Sequence, residues 1–172
     1  MSSGKLLHIL YGGLSLTVLG LDQLTKALIT AGMAAYSSVV VIPGLFQLTL
    51  VWNRGGLFGL CRSLPNPYRT VLFTAVPALA IGIILLFQYR TSLADRVAQT
   101  GLALILGGAV GNLTDRLRLG HVIDFLDVFV GEYHWPAFNV ADSAICVGVA
   151  LLLIDLIRKG GTRVPGESTE RA

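Results

Sequence analysis

Phe138-Asn-Val-Ala-Asp-Ser-Ala-Ile-Cys-Val-Gly-Val-Ala-Leu-Leu-Leu-Ile-Asp-Leu-Ile157 is the stretch on which the fold turns. From Val140 to Ile157 it is apolar except for Asp142, Ser143 and Asp155. Crossing the hydrocarbon core of a bilayer takes about 20 mostly apolar residues, and fewer when flanking side chains snorkel. The run is too long for an ordinary buried strand and long enough for a spanning helix. It carries a carboxylate in its first turn, with Asn139 placed as an N-cap before it. An acid at the third helical position favours the helix dipole, so a structural role for Asp142 is available at once.

Working outward, three more windows have the same character: Leu6 to about Leu21, continuing as helix through Lys26; Val71–Phe87; and Val97–Leu113. The composition agrees. Of 172 residues, 53% are hydrophobic and 13% charged, about half the charge of a typical soluble domain, and the mean hydropathy is +0.71. The sequence predicts a mostly α membrane protein with four transmembrane helices, a single polytopic unit over residues 1–159, and a polar, disordered tail at 160–172. The net charge of +3 does not point to nucleic acid, because the basic residues are scattered and not interleaved with aromatics. Cationic helix flanks and anionic lipid headgroups explain it better. The N-terminus resembles a cleavable signal peptide only superficially, since Asp22, Gln23 and Lys26 interrupt it before the small residues at Ala31–Ala35. Cys61 and Cys146 are too few for a disulfide framework and are not spaced as a metal pair; they are expected to be small apolar fillers.

The loops are unequal. Residues 30–69 form a long connection with two β-prone runs, Ser37–Ile42 and Leu45–Trp52, separated by Pro43-Gly44; they predict a small sheet resting on the membrane surface. Residues 114–139 form a second long connection carrying Asp115, Asp124, Asp127 and Glu132. With four spans, both termini share a side with the short link between Gln88 and Arg96. That side holds Lys5, Arg90, Arg96, Arg158, Lys159, Arg163 and Arg171, seven of the 13 Lys and Arg. Weighting the residues that flank short loops places the termini in the cytoplasm and both long loops outside.

Ionisable residues near spans are costly and are functional candidates by default. Asp22 and Lys26 lie four apart on one helix face and are read as a structural ion pair. Asn53-Arg-Gly-Gly is a turn signal whose Asn also offers a donor and an acceptor. In Gly107-Gly108-Ala-Val-Gly111-Asn112-Leu-Thr-Asp115-Arg116, a helix sets Gly108, Asn112 and Arg116 on one stripe and Gly107, Gly111 and Asp115 on the next. The glycines suit close helix packing, and Arg116 could grip a carbonyl, carboxylate or phosphate. Asp124, in His121-Val-Ile-Asp124-Phe, sits in an apolar setting and could converge with Asp142.

His8, His121 and His134 are dispersed, against a zinc peptidase. Ser143 lacks the context of a nucleophilic serine. Two carboxylates and a water suffice for an aspartic dyad. From the residues alone, three readings stay open: such a peptidase, a small transporter or lipid-binding protein using the same acids, and a structural bundle with the acids as caps.

Taken together, Asp22…Lys26, Asn53…Gly55…Phe58, Gly107-Gly108…Gly111-Asn112…Asp115-Arg116, Val122…Asp124-Phe125 and Phe138-Asn139…Ala141-Asp142-Ser143 resemble the lipoprotein signal peptidase (signal peptidase II) family in order and spacing, across about residues 20–157. The resemblance implies an external β-cradle, a short periplasmic helix and an aspartic endopeptidase of the bacterial inner membrane. Its active site would lie near the periplasmic face, and it would free the signal peptide of diacylglyceryl-modified prolipoproteins by cutting just before the lipidated cysteine. Asp124 and Asp142 match the catalytic acids. Asn53, Gly108, Asn112, Arg116, Asn139 and Ala141 match pocket positions, and Asp22 and Lys26 structural ones. No metal or organic cofactor is implied, and the partners are prolipoproteins, membrane lipids and globomycin-type inhibitors. One departure is Gly56-Leu57 with Gly59, where the family usually has small residues and a serine.

Overall fold

The computed structural model describes residues 3–55 and 66–160. Gly56, Leu57, Phe58, Gly59 and Cys61, and the polar tail after Gly160, lie outside the described residues. Four long helices, α1 (Ser3–Gly32), α2 (Asn66–Arg90), α3 (Arg96–Leu119) and α4 (Val140–Gly160), account for most of the chain. All four are long and apolar enough to cross a membrane. The spans expected from hydropathy fall inside them; α1 and α3 run about a turn further, because Thr30 and Thr114 return their hydroxyls to the helix backbone and Asp115 and Arg116 find partners there. The short helix implied by the resemblance is not among the described residues.

α3 is the central element, packing on α1, α2 and α4. Its glycines explain how. A Cβ on Gly101 would lie 2.8 Å from the Gly148 carbonyl oxygen, one on Gly148 2.6 Å from that of Gly101, and one on Gly108 2.4 Å from that of Ala141. The α3–α4 seam is therefore backbone against backbone, the close approach that small residues permit in a membrane. On the next stripe Gly107 faces the Ser15 carbonyl and Val18, and Gly111 faces the Asp22 carboxylate, which brings α1 in on the other side. Gly108 of one stripe thus packs on α4, and Gly107 and Gly111 of the other pack on α1. α2 touches the bundle through α3, and its outward surface, with Leu79, Ile83 and Phe87 exposed, suits lipid contact.

α3 starts on Asp95, whose side chain accepts from Ala98 N, and stops on Gly120 at φ 75°, whose N–H returns to the Arg116 carbonyl. That left-handed cap turns the chain straight into a strand. Here the sequence-based expectation of a loop is corrected: Val122–Val130 is β3, and it completes an antiparallel sheet in the order β1-β2-β3-β4, with β1 Ser38–Ile42, β2 Phe46–Asn53 and β4 Tyr133–His134. The alternation was hidden because Val122–Phe125 is buried at every position, so no polar residue marks an outer face. Asp127 pins the sheet by accepting from Gln47 at 2.6 Å and pairing with His134 at 2.9 Å; it does not join Asp124.

Candidate active site

The register of β2 on β3 pairs Asn53 with Val122 and Val51 with Asp124. Asn53 and Asp124 are therefore diagonal neighbours on one face, and the Asn53 amide donates to Asp124 Oδ2 at 2.9 Å. The Asn53 carbonyl oxygen accepts from Gly55 N at 2.9 Å, so this amide can present only its NH₂ to the acid. Gly55 is required there: its φ is +92°, and a Cβ would sit 2.3 Å from the Phe73 ring.

Asp142 reaches the same place from α4. Its Oδ2 accepts from Asn139 N at 3.2 Å while Asn139 Oδ1 accepts from Asp142 N at 2.9 Å. This reciprocal pair is a capping box, so the helix-cap role anticipated for Asp142 is real. It does not use up the residue. The free end of the Asn139 side chain donates to Asp124 Oδ1 at 2.7 Å, sharing its hydrogens with Asn112 Oδ1 and the Ile123 carbonyl. Asn112 Nδ2 in turn donates to Asp142 Oδ1 at 2.8 Å. One fully buried residue, Asn139, thus touches both acids, through its side chain and its backbone.

Each carboxylate receives two donated hydrogen bonds. Asp124 is only 3% exposed, and burial, followed by the charge of Asp142, outweighs the Asn53 and Asn139 donors and pushes its carboxyl up to about 6. A buried acid beside a second acid holds its proton more tightly than one in water. Arg116 donates to the Asn112 backbone carbonyl at 3.4 Å and lines a cavity of about 440 Å³ with Val71, Thr74, Ala75, Ala78 and Leu117.

Behind the acids lies a second polar layer. Lys26, 2% exposed, places its ammonium 2.8 Å from Asp22 Oδ2, 2.8 Å from Asp115 Oδ2 and 2.9 Å from Asn112 Oδ1. Asp22 Oδ1 accepts from Ala141 N at 3.0 Å, and Asp115 also accepts from Gln23 and Ile123 N. Gly108 and fully buried Ala141 form the packing that sets the height of α4. The structure thus brings Asn53, Asn112, Arg116, Asp124, Asn139 and Asp142 together, with Asp22, Lys26, Gly108 and Ala141 as their support. From sequence, Asp115 and Gly55 are motif positions and Gln23 a polar interruption of the first span, with no role at the site assigned to any of the three. The signal for Asp115 was its place one turn beyond Gly111, on the stripe facing α1.

The sequence profile described as Signal peptidase (SPase) II matches residues 14–158. The chain belongs to the signal peptidase II family. The chain is 43% identical over 159 residues, 92% of its length, to the lipoprotein signal peptidase of Syntrophus aciditrophicus, 97% of which is covered. It is 48% identical over 156 residues to that of Geobacter sulfurreducens, covering 91% of this chain and 96% of the relative. A solved bacterial membrane enzyme superposes with a TM-score of 0.78 at 28% identity, over 90% of this chain and 91% of that one. Within the family frame this chain is a multi-pass membrane peptidase.

Proposed function

We propose that the chain is an intramembrane aspartic endopeptidase that removes the signal peptide from diacylglyceryl-modified prolipoproteins, cutting just before the lipidated cysteine, with Asp124 and Asp142 as its catalytic acids. The observation that carries this reading is Asn139, which holds both carboxylates in one buried polar cluster where α4 meets the sheet.

Two such acids share one proton, and the titration belongs to the pair. The ionised carboxylate takes a proton from a water, whose oxygen adds to the scissile carbonyl carbon, while the acid proton passes to the carbonyl oxygen. The tetrahedral gem-diol then collapses: the C–N bond breaks as the amine nitrogen takes the proton held by one aspartate, and a gem-diol hydroxyl gives its proton to the other, leaving the carboxylic acid product and the dyad with its single proton. The asparagine donors exist before substrate arrives, so little reorganisation is needed at the moment of reaction. The Arg116 cavity is mostly apolar-lined and opens between α2 and α3; it suits an acyl chain whose ester or peptide carbonyl meets the guanidinium. Asn53 and the sheet would hold the peptide beside Asp124.

The relatives bear the name lipoprotein signal peptidase, which supports the substrate class. The test is product mapping: purified protein is incubated with a diacylated prolipoprotein and with its unlipidated form, and the new termini are read by mass spectrometry. Cleavage of the lipidated form alone, leaving the modified cysteine first in the mature product, is expected. Equal cleavage of both, or a cut elsewhere, would overturn the substrate assignment.

A further inference from the structure

A primary amide looks almost the same either way round, but its two ends are chemically opposite. Asn112 can serve Asp142 only if its NH₂ faces the carboxylate. Nothing in Asn112 or Asp142 enforces that choice alone, because a flipped Asn112 could accept a proton from a protonated Asp142. What enforces it lies on α1. The Lys26 ammonium has three hydrogens and no acceptor capacity, and all three are spoken for by Asp22, Asp115 and Asn112 Oδ1, at 2.8, 2.8 and 2.9 Å.

We propose that Lys26 is a positioning residue for the dyad: by holding Asn112 Oδ1 it fixes the amide sense that makes Asn112 a donor to Asp142 and an acceptor for Asn139. This rests on the dyad reading above. With Asn112 Oδ1 turned toward the ammonium, its Nδ2 points at Asp142 Oδ1 at 2.8 Å, and the same oxygen receives the Asn139 amide at 3.1 Å. Reversed, the amide would aim an NH₂ at the ammonium and at the Asn139 NH₂, and a carbonyl oxygen at the Asp142 carboxylate. The contacts to Lys26 and Asn139 would become repulsive whatever the state of Asp142, and the contact to Asp142 would be repulsive whenever that acid is ionised. The Lys26 ion pair is therefore more than glue between α1 and α3. It orients a neutral amide, and through that amide the donor set of the two acids.

The test separates this from a purely structural role. Removing Lys26 alone would leave Asp22 and Asp115 facing each other in a buried site, which risks unfolding. The informative variant is therefore Lys26→Met with Asp115→Asn, which keeps the net charge of the triad. It is compared in detergent with Lys26→Arg, Asn112→Ala and the combined triple variant, with kcat and KM on lipidated substrate and the melting temperature measured for each. Lys26→Arg keeps the charge and the N–H donors, and a cavity of about 330 Å³ lined by Lys26, Gln23 and Asp115 gives the larger side chain room beside the triad. For a misplaced catalytic group a loss on the order of 100-fold in kcat is expected, with KM nearly unchanged, for the charge-balanced pair and for Asn112→Ala. Lys26→Arg should recover most of the rate. In the Asn112→Ala background the pair should cost no more than about a further twofold. A kcat loss that is the same with and without Asn112, or Asn112→Ala retaining kcat within about threefold of the parent, would overturn the proposal. The second criterion holds even if the charge-balanced pair fails to fold, because Asn112→Ala leaves the ion triad intact. Asp124→Asn runs alongside: if it stays active, the dyad reading itself has failed, whatever the Lys26 series shows.

Discussion

Three asparagines share one design at the scale of single residues. Asn53 has its oxygen held by Gly55 N, Asn112 by Lys26, and Asn139 by Asp142 N. Each thereby turns its NH₂ toward an acid. The acids need this help because burial works against their charge, and Asp124 sits at about 6 instead of its ordinary 3.8. Two predictions follow from that shift. A dyad that shares one proton needs Asp124 protonated beside ionised Asp142, so kcat should fall as the pH rises through about 6, and a pH–rate profile flat from about pH 5 to pH 8 would exclude Asp124 from the titrating pair. For stability the sign is the same. A group whose folded-state value is raised contributes fully below its unfolded value and loses that contribution as pH rises through 6. The folded protein should therefore gain up to about 3 kcal/mol between pH 7.5 and pH 4 from this group, and Asp124→Asn should remove that gain, as read by melting across the same range. A third prediction concerns Gly55. Its positive φ and its contact with Phe73 mean that Gly55→Ala should cost about 1–3 kcal/mol and also lower kcat, because the turn that orients Asn53 is lost.

Helix packing governs the next scale. Gly101 and Gly108 lie on the same α3–α4 seam and tolerate a Cβ equally badly, at 2.8 and 2.4 Å from facing carbonyl oxygens. They differ in what lies above them. Gly108→Ala pushes on Ala141, the residue beside Asp142, whereas Gly101→Ala pushes on Gly148 two turns away. Both should lower stability by about 1–3 kcal/mol, but only Gly108→Ala should lower kcat more than tenfold on the order expected for a displaced acid. Parallel melting and kinetic measurements distinguish them. The helices were legible in the sequence because the bilayer demands long apolar runs, and their stripes were legible because helix geometry fixes which glycines share a face. β3 was not. A strand buried at Val122, Ile123, Asp124 and Phe125 alike carries no alternation, and its pairing with β2 spans some 70 residues of sequence. Asp124 was found as a chemical group, but its place on a strand beside Asn53 was not. The second polar layer was half visible: Asp22 and Lys26 announce themselves as an i, i+4 pair, whereas Asp115 needs the approach of α1 to α3, which only the packing reveals.

The described residues divide into a bundle of four long helices and a four-stranded sheet. β1 leaves Val39, Val40, Val41 and Ile42 about half exposed, with Leu45 beside them. In water such an edge invites aggregation, and against headgroups it is an anchor. Tyr36, Trp52 and His121 form a row nearby, Tyr36 edge-on to Trp52 and His121 tilted against it, with ring centroids 5.9 and 5.2 Å apart, and aromatic residues favour the membrane interface. At the far end Lys159 joins Asp95 and Asp155, closing α4 on the start of α3. The proposed orientation sets this end in the cytoplasm and the sheet outside. In cells carrying single-cysteine variants, Glu132→Cys should react with a membrane-impermeant maleimide and Ser92→Cys should not. The reverse pattern would invert the topology. The most direct measurement of the central claim is the turnover of purified Asp124→Asn and Asp142→Asn variants on a diacylated prolipoprotein. A dyad predicts that each releases no signal peptide while melting as a folded protein, and substantial cleavage by either one would contradict it.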